Sequence, residues 1–284
     1  AWSSRFHVAC CCTASALILV CGTLRGSVTE KEPATDLPNF VLLLADDLAW
    51  ADVGYNGAAF YETPHIDALA RQGIVFDRAY ASGPNCSPTR ACLLTGTYVP
   101  RHHVYTPGAR SKGPARYMRL AVPRMRVEGN DLPSRHQLFP EAVTIAEVLR
   151  DAGYATARFG KWHLGPDEQG FEVSDLAGDS ERSGRYFTDP NSSSALARAA
   201  ARFIGEHVDE PFFLFVSLWD PHLPLAADPE VTARYAKKLE RNPGPWDPTY
   251  AAMVEAVDQS VGVVRAAIEE HGLAERTLGP RSGN

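Results

Sequence analysis

Continuous apolar runs of strand length mark the predicted core of this chain. Residues 40–44 read FVLLL and residues 211–219 read PFFLFVSLW, and neither run alternates with polar positions. Such runs are typical of central parallel strands, which are buried on both faces of a sheet. The shorter runs YATARFG at 154–160 and IVFDRAY at 74–80 predict two further strands.

Capped helical segments lie between these strands. Helices are predicted at residues 64–72, 145–152, 194–207 and 248–272. The first begins with proline after Thr63, and Thr144 with Glu147 forms a capping box for the second. Strands that alternate with capped helices predict an α/β fold, with a mostly parallel central sheet and helices on both faces. In such sheets, ligands bind at the carboxyl ends of the strands.

The composition along the chain predicts three parts. Residues 1–26 contain a long apolar run without charge and resemble a secretory signal peptide, with a membrane anchor or a lipoprotein leader as alternatives. Each of these alternatives implies an exported protein. Residues 27–38 are interpreted as a linker, and residues 39–284 as one domain. Within that domain, residues 101–140 show no clear period and predict a surface excursion that shapes a site.

Charge and cysteine content exclude two classes of protein. The formal net charge is −6, so nucleic acid is not expected as a partner. Four of the 6 cysteines lie within the first 26 residues, which leaves Cys86 and Cys92 for the predicted domain. On one helix these two would lie about 9 Å apart along the axis, beyond the ~7 Å Cα limit for a disulfide. No disulfide is therefore predicted.

Polar residues follow the predicted strands and indicate one crevice. Asp46 and Asp47 follow the strand at 40–44, and adjacent carboxylates at a buried strand end favour Ca²⁺ or Mg²⁺. The alternative is a helix cap or a loop turn. Lys161 and His163, two residues apart on an extended segment, could face the same side and hold an anion, or belong to a solvated loop. His222, between two prolines, lies in a rigid loop and could be structural.

Cys86 lies where a helix is predicted to begin, with Pro88 in the first turn and Arg90 one turn further. A helix N-terminus lowers the pKa of a thiol, so the position suits a nucleophile. Three interpretations remain open at this point: a small buried cysteine, a redox thiol, or an acyl nucleophile with His163 or His222 as its base.

The sequence around this cysteine resembles the signature of the sulfatase family. Residues 86–90 read CSPTR, which matches Cys-x-Pro-x-Arg, and a Leu-Thr-Gly run follows at 94–96. Four other motifs stand in the order that the family has, namely DD at 46–47, TPHID at 63–67, GKWHLG at 160–165 and PHLP at 221–224. The resemblance covers residues 39–277 and implies an alkaline phosphatase/sulfatase-like fold.

The resemblance implies a modified nucleophile on a divalent metal. A formylglycine-generating enzyme, as partner, would oxidise Cys86 to Cα-formylglycine. Asp46 and Asp47 would ligate a metal, Ca²⁺ or Mg²⁺, together with the modified Cys86, and Arg90 would orient the aldehyde hydrate. One hydroxyl of the hydrate would attack the sulfur of a sulfate ester and displace the alcohol, and deprotonation of the other hydroxyl would then regenerate the aldehyde and expel sulfate.

Three further residues take roles from the same resemblance. Lys161 would bind the sulfate group, His163 would assist the hydrate, and His222 would contact the ester and help to protonate the leaving oxygen. The substrate class implied is an aryl or carbohydrate sulfate ester. The expected compartment is exported: the periplasm, the extracellular space or the lumen of the secretory pathway.

The chain departs from the family pattern near residue 278. The family has an apolar strand there that ends in further metal ligands, followed later by another lysine, but residues 279–284 read GPRSGN. We therefore expect a truncated or frame-disrupted product that lacks a strand and a C-terminal subdomain. Asp46 and Asp47 would then lie side by side as an uncompensated pair. Two alternatives to a sulfatase follow: a phosphonate monoester or phosphodiester hydrolase of the same superfamily, or an inactive fragment.

Overall fold

A computed structural model gives the fold of this protein. It describes residues 37–83, 85–105, 124–127, 130–133, 137–165, 169–174 and 188–279. The strands are β1 Asn39–Leu44, β2 Arg124–Val127, β3 Asn130–Pro133, β4 Ala155–Gly160, β5 Val173–Ser174, β6 Phe212–Ser217 and β7 Thr277–Leu278. The helices are α1 Pro64–Gln72, α2 Cys86–Thr95, α3 Val99–His102, α4 Ile145–Asp151, α5 Ser192–Glu206, α6 Pro229–Arg241 and α7 Pro248–Glu270. Three 3₁₀ turns lie at Trp50–Asp52, Gly54–Asn56 and Ala274–Arg276.

The central sheet has five strands in the order β5-β4-β6-β1-β7. Every pair in it is parallel, and β2 with β3 forms a separate antiparallel pair. The predicted mostly parallel sheet is thereby confirmed. The two-residue strand β7 pairs with Asn39 and Phe40 of β1, and the predicted loss of a strand after residue 278 falls outside the described residues.

Strand β6 belongs to two hydrophobic clusters because its side chains alternate between the faces of the sheet. Phe212, Leu214 and Val216 pack in one cluster with α5 and α7, which includes Leu196 and Ile268. Phe213 and Phe215 pack in the other cluster, which includes Leu94 of α2 and Ala146 of α4. All six residues of β6 are buried. Helices therefore cover both faces, as the sequence predicted.

One predicted strand was wrong, and one long helix was not predicted. Residues 74–80, predicted as a strand, form no strand, and Ile74 and Phe76 are 84% and 76% exposed. A β-branched and aromatic composition favours a strand only where a neighbouring strand can pair with it. Helix α6 was not predicted, although the Asp228 side chain caps it by accepting hydrogen bonds from the backbone N–H groups of Glu230 and Val231. Other element ends moved by one or two residues.

The predicted leader at residues 1–26, and most of the predicted linker at 27–38, lie outside the described residues. In the part of the chain that the structure describes, no helix combines the length and apolar character needed to cross a membrane. The predicted excursion at 101–140 is described only in parts, which contain the end of α3 together with β2 and β3.

Candidate active site

The register of the sheet brings three strand ends to one place. Leu44, the last residue of β1, and Gly160, the last residue of β4, both pair with Ser217, the last residue of β6. The residues that follow each strand therefore emerge side by side at the carboxyl edge. This is the crevice that the sequence predicted, because Asp46, Lys161 and the loop that carries His222 all follow these strands.

Asp46 is the carboxylate at the centre of this crevice. It is buried, at 4% exposure, and its backbone N–H donates to the carbonyl oxygen of Asp220 at 3.1 Å. One carboxylate oxygen accepts a hydrogen bond from the Lys161 ammonium, and the other lies 3.4 Å from Nη2 of Arg90. The expectation that Asp46 is uncompensated was therefore wrong, since two buried cations contact it.

Arg90 connects helix α2 to the sheet. It is 1% exposed, and its Nη1 donates to the carbonyl oxygen of Lys161 at 2.8 Å and to the hydroxyl of Ser217. The Ser217 hydroxyl in turn donates to the same carbonyl oxygen at 2.8 Å. Burial lowers the pKa of Arg90, while the neighbouring Asp46 and Cys86 act in the opposite direction. The guanidinium is thus a buried cation that binds the ends of two strands together.

Lys161 is fixed by a close approach of two strands. Its N–H donates to the carbonyl oxygen of Ser217 at 2.9 Å. The preceding Gly160 has φ +98°, and a Cβ added there would lie 2.1 Å from that same oxygen. Glycine is therefore required at this position, both for the left-handed backbone and for the approach. The Lys161 ammonium lies 5.2 Å from the centre of the Trp219 ring.

Asp47 differs from Asp46 in exposure and partner. Its backbone is left-handed, with φ 65°, and its side chain is 60% exposed. A carboxylate oxygen lies 3.4 Å from Nε2 of His222, while Nδ1 of His222 contacts the carbonyl oxygen of Leu223. Both ring nitrogens of His222 therefore lie beside an oxygen acceptor. The predicted carboxylate pair is thus divided between a buried and an accessible environment.

Cys86 is the first residue of α2, as the sequence predicted. Its thiol is free and half-buried, and Asn85 before it makes no side-chain cap. The positive end of the helix dipole therefore lies at this residue. Cys92, in the same helix, is also a free thiol, which agrees with the prediction that the two do not form a disulfide.

His163 does not continue the strand that precedes it. Its φ is 64°, so the alternation that predicted Lys161 and His163 on one side ends at Gly160. The backbone carbonyl of His163 accepts a 2.8 Å hydrogen bond from the hydroxyl of Ser87. His163 is therefore joined to the first turn of α2, beside Cys86, through its backbone. Its predicted assistance to the nucleophile stays a prediction.

Asp46 and Asp47 supply the type of oxygen ligand that a divalent metal prefers, but too few ligands to fill its coordination. Asp46 and Asp47 supply hard oxygen donors, the type that Ca²⁺ and Mg²⁺ prefer, but Ca²⁺ takes about six to eight oxygens. Among the described residues, no three His, Cys, Asp or Glu side chains are grouped so that they could hold a metal ion. Asp46 and Asp47 could therefore supply only part of the coordination of such an ion.

Sequence analysis missed three residues at the end of β6. Ser217 and Trp219 contact Arg90 and Lys161, as described above. Asp220 is buried, and its carboxylate accepts a hydrogen bond from the hydroxyl of Ser193. Burial raises the pKa of Asp220 to about 6, although the hydrogen bond acts against this effect. The only sequence signal for these residues was their position after the most apolar strand.

Comparisons with known proteins show what this chain is similar to. N-acetylgalactosamine-6-sulfatase of Mus musculus is 29% identical over a match that covers 95% of this chain and 54% of the mouse protein. The solved structure of Ps i-CgsB is 29% identical, with a TM-score of 0.65, and the match covers 85% of this chain and 57% of that chain. Another structure of Ps i-CgsB is a complex with k-i-k-neocarrahexaose. The chain thus spans about half the length of these relatives.

A more distant structure shares the fold. Phosphonate monoester hydrolase of Agrobacterium radiobacter is 19% identical, with a TM-score of 0.59 over 85% of this chain and 61% of that chain. The family model that matches this chain is described as Sulfatase, and it covers residues 38–278. Because that match includes the strands, the helix α2 and the crevice between them, this chain belongs to the sulfatase family.

Proposed function

We propose that this protein hydrolyses sulfate esters, with Cys86 as the precursor of its nucleophile. The observation that carries the proposal is the pair of buried cations, Arg90 and Lys161, that contact Asp46, with Arg90 one turn after Cys86 in the same helix. A sulfate group carries negative charge, and its oxygens gain charge in the transition state. Fixed cations that are shielded from water stabilise this charge well, because they need little rearrangement as the transition state forms.

Each side chain has a separate task in this proposal. Cys86, once converted to formylglycine by a formylglycine-generating enzyme, would supply the hydroxyl that attacks sulfur. Arg90 orients the modified residue, and Lys161 binds an oxygen of the sulfate group. His222, whose imidazole is accessible in part, donates a proton to the leaving oxygen. His163 assists the hydrate of the modified Cys86, and its backbone carbonyl contacts the first turn of α2.

The proposal includes a divalent metal, Ca²⁺ or Mg²⁺. Its ligands would be Asp46, Asp47 and the modified Cys86. When bound, it would stabilise negative charge on the sulfate oxygens. Calorimetric titration with Ca²⁺ tests this without any turnover, and Asp47→Asn is the informative variant because its side chain is largely exposed. We expect binding by the parent chain and weaker binding by the variant; equal affinity of the two would contradict the assignment of Asp47.

A carbohydrate sulfate is the proposed substrate. The mouse relative is an N-acetylgalactosamine-6-sulfatase, and Ps i-CgsB has been solved with k-i-k-neocarrahexaose. Both names point to sugars rather than to phenols. The proposed location is an exported compartment, which rests on the apolar run within residues 1–26.

Mass spectrometry of a tryptic digest tests the modification of Cys86. Cleavage after Arg78, Arg90 and Arg101 places Cys86 and Cys92 in separate peptides, so the Cys92 peptide is an internal control. After co-expression with a formylglycine-generating enzyme, we expect an aldehyde in the first peptide and an unchanged thiol in the second. A thiol in both would contradict the proposal.

Turnover distinguishes the competing functions. The parent chain and Cys86→Ala are compared on an aryl sulfate, a sulfated N-acetylgalactosamine and an aryl phosphate diester. We expect hydrolysis of the sulfates that depends on Cys86. Preference for the phosphate diester would favour the phosphonate hydrolase alternative, and modified protein without turnover on any ester would favour an inactive fragment.

A further inference from the structure

The end of β6 contributes two side chains that face the buried cations. Ser217 is the last residue of the strand and Trp219 follows two positions later. Ser217 is fully buried, and Trp219 is 6% exposed. The Ser217 hydroxyl accepts a hydrogen bond from Arg90, and the Trp219 ring lies 5.2 Å from the Lys161 ammonium. One strand end thus supplies a partner for each cation.

The charges in this crevice explain why such partners are needed. Arg90 and Lys161 are two buried cations, and Asp46 is the buried carboxylate that both of them contact. Both buried cations are therefore held by the same carboxylate. Burial of a charge is costly unless other groups stabilise it. The face of an indole ring carries negative charge density, and a cation within about 6 Å of its centre is attracted to it.

We propose that Trp219 is a positioning residue for Lys161. Its indole face holds the ammonium beside Asp46, at the place where the sulfate group of the substrate is received. The inference rests on the proposed function for the role of Lys161 as a sulfate ligand. It goes beyond that function because it assigns part of the sulfate affinity to the aromatic face of Trp219, which is not among the sulfate ligands of the proposed function.

The proposal is tested by sulfate binding rather than by turnover. Calorimetric titration with inorganic sulfate is carried out on the full chain carrying Cys86→Ala, so that modification and catalysis do not contribute. Lys161→Met in the same background is expected to abolish binding, which places the bound ion at the ammonium. Trp219→Phe retains an aromatic face, whereas Trp219→Leu retains an apolar side chain without one.

We expect Trp219→Leu to weaken sulfate binding by about 2- to 30-fold, the range that cation–π attraction predicts. Trp219→Phe should lie within about 3-fold of the parent, because phenylalanine keeps an aromatic face with a weaker attraction. Trp246→Leu is the matched control. It removes an indole that stacks on Phe60 with ring centres 4.7 Å apart, and among the described residues this indole contacts neither cation. Its sulfate affinity should equal that of the parent.

A second measurement separates the aromatic charge from packing. Fluorinated tryptophan at position 219 keeps the shape of the ring but withdraws charge from its face, so sulfate affinity should fall as fluorine atoms are added. This outcome remains measurable if Trp219→Leu fails to fold. Equal affinity across the fluorinated series, or no sulfate binding by the parent, would overturn the proposal. Ester hydrolysis, measured separately, decides the proposed function itself.

Discussion

At the residue scale, the central feature is a carboxylate whose environment differs from that of its neighbour in sequence. Asp46 is buried between Arg90 and Lys161, whereas Asp47 is largely exposed and faces His222. The left-handed φ of Asp47 turns the chain between them. Two residues that look identical in the sequence therefore have different tasks. Asp46 organises buried cations, and Asp47 contacts the accessible imidazole.

Asp220 gives a pH-dependent prediction at this scale. In the folded chain its pKa is raised from the ordinary 3.8 to about 6, chiefly by burial. Between these pH values the folded state binds more protons than the unfolded state, so its stability falls as the pH rises through 6. At about 1.4 kcal/mol for each pKa unit, the loss is at most about 3 kcal/mol.

Asp220→Asn should therefore remove this loss, because the amide stays neutral and its oxygen can still accept from Ser193. We expect the free energy of unfolding of the variant to exceed that of the parent at pH 7 and to equal it at pH 4. Urea denaturation at several pH values between 4 and 7 measures this difference. Asp151→Asn, at an exposed carboxylate, is the control and should leave the pH dependence of the parent unchanged. A pH dependence in Asp220→Asn equal to that of the parent would show that another group causes it.

At the element scale, the sequence predicted elements whose signals are local. The buried strands β1 and β6 are uninterrupted apolar runs, and the capping box of α4 is present with both of its hydrogen bonds. Residues 74–80 have the composition of a strand but no strand to pair with, and pairing is not a local property. Helix α6 was missed although its sequence carries a local signal, since Val231, Tyr235 and Leu239 recur at helical spacing and pack in one cluster.

The contact between β4 and β6 gives a second prediction, at Gly160. A Cβ there would lie 2.1 Å from the carbonyl oxygen of Ser217, and φ is +98°. Gly57 has a similar φ of +95°, but a Cβ there would meet nothing within 4 Å. Gly57→Ala thus measures the backbone cost alone, about 1 kcal/mol. Gly160→Ala should cost about 1–3 kcal/mol more, because the strands must separate.

The difference between the two alanine variants is measured by urea denaturation at one pH. In the proposed function Gly160→Ala should also weaken sulfate binding, since Lys161 is the next residue and its N–H bonds to the same oxygen. If both variants lose the same free energy of unfolding, the close approach of β4 to β6 has been overestimated.

At the scale of the whole molecule, the topology assembles the site. The alternation of strands and helices predicted a parallel sheet, and a parallel sheet places its carboxyl ends on one edge. The sequence therefore predicted that Asp46, Lys161 and the loop with His222 lie close together. It could not predict which side chains fill the space between them, because Ser217 and Trp219 owe their roles to the register of β4 against β6. The family match covers residues 38–278, but the chain spans only about half of the mouse relative.

Strand β6 contributes side chains to both hydrophobic clusters, so we expect the two clusters to unfold together. Ile268 of α7 packs on one face of the sheet and Leu94 of α2 on the other, and both are buried. Replacement of either by alanine should cost about 2–5 kcal/mol, whereas Val263→Ala, at a position 39% exposed, should cost far less. Since β6 carries side chains of both clusters, each core variant should shift one cooperative transition, seen alike by circular dichroism and tryptophan fluorescence. Two separated transitions in Leu94→Ala would instead mean that α2, with Cys86 and Arg90, unfolds independently of the sheet that supplies Lys161.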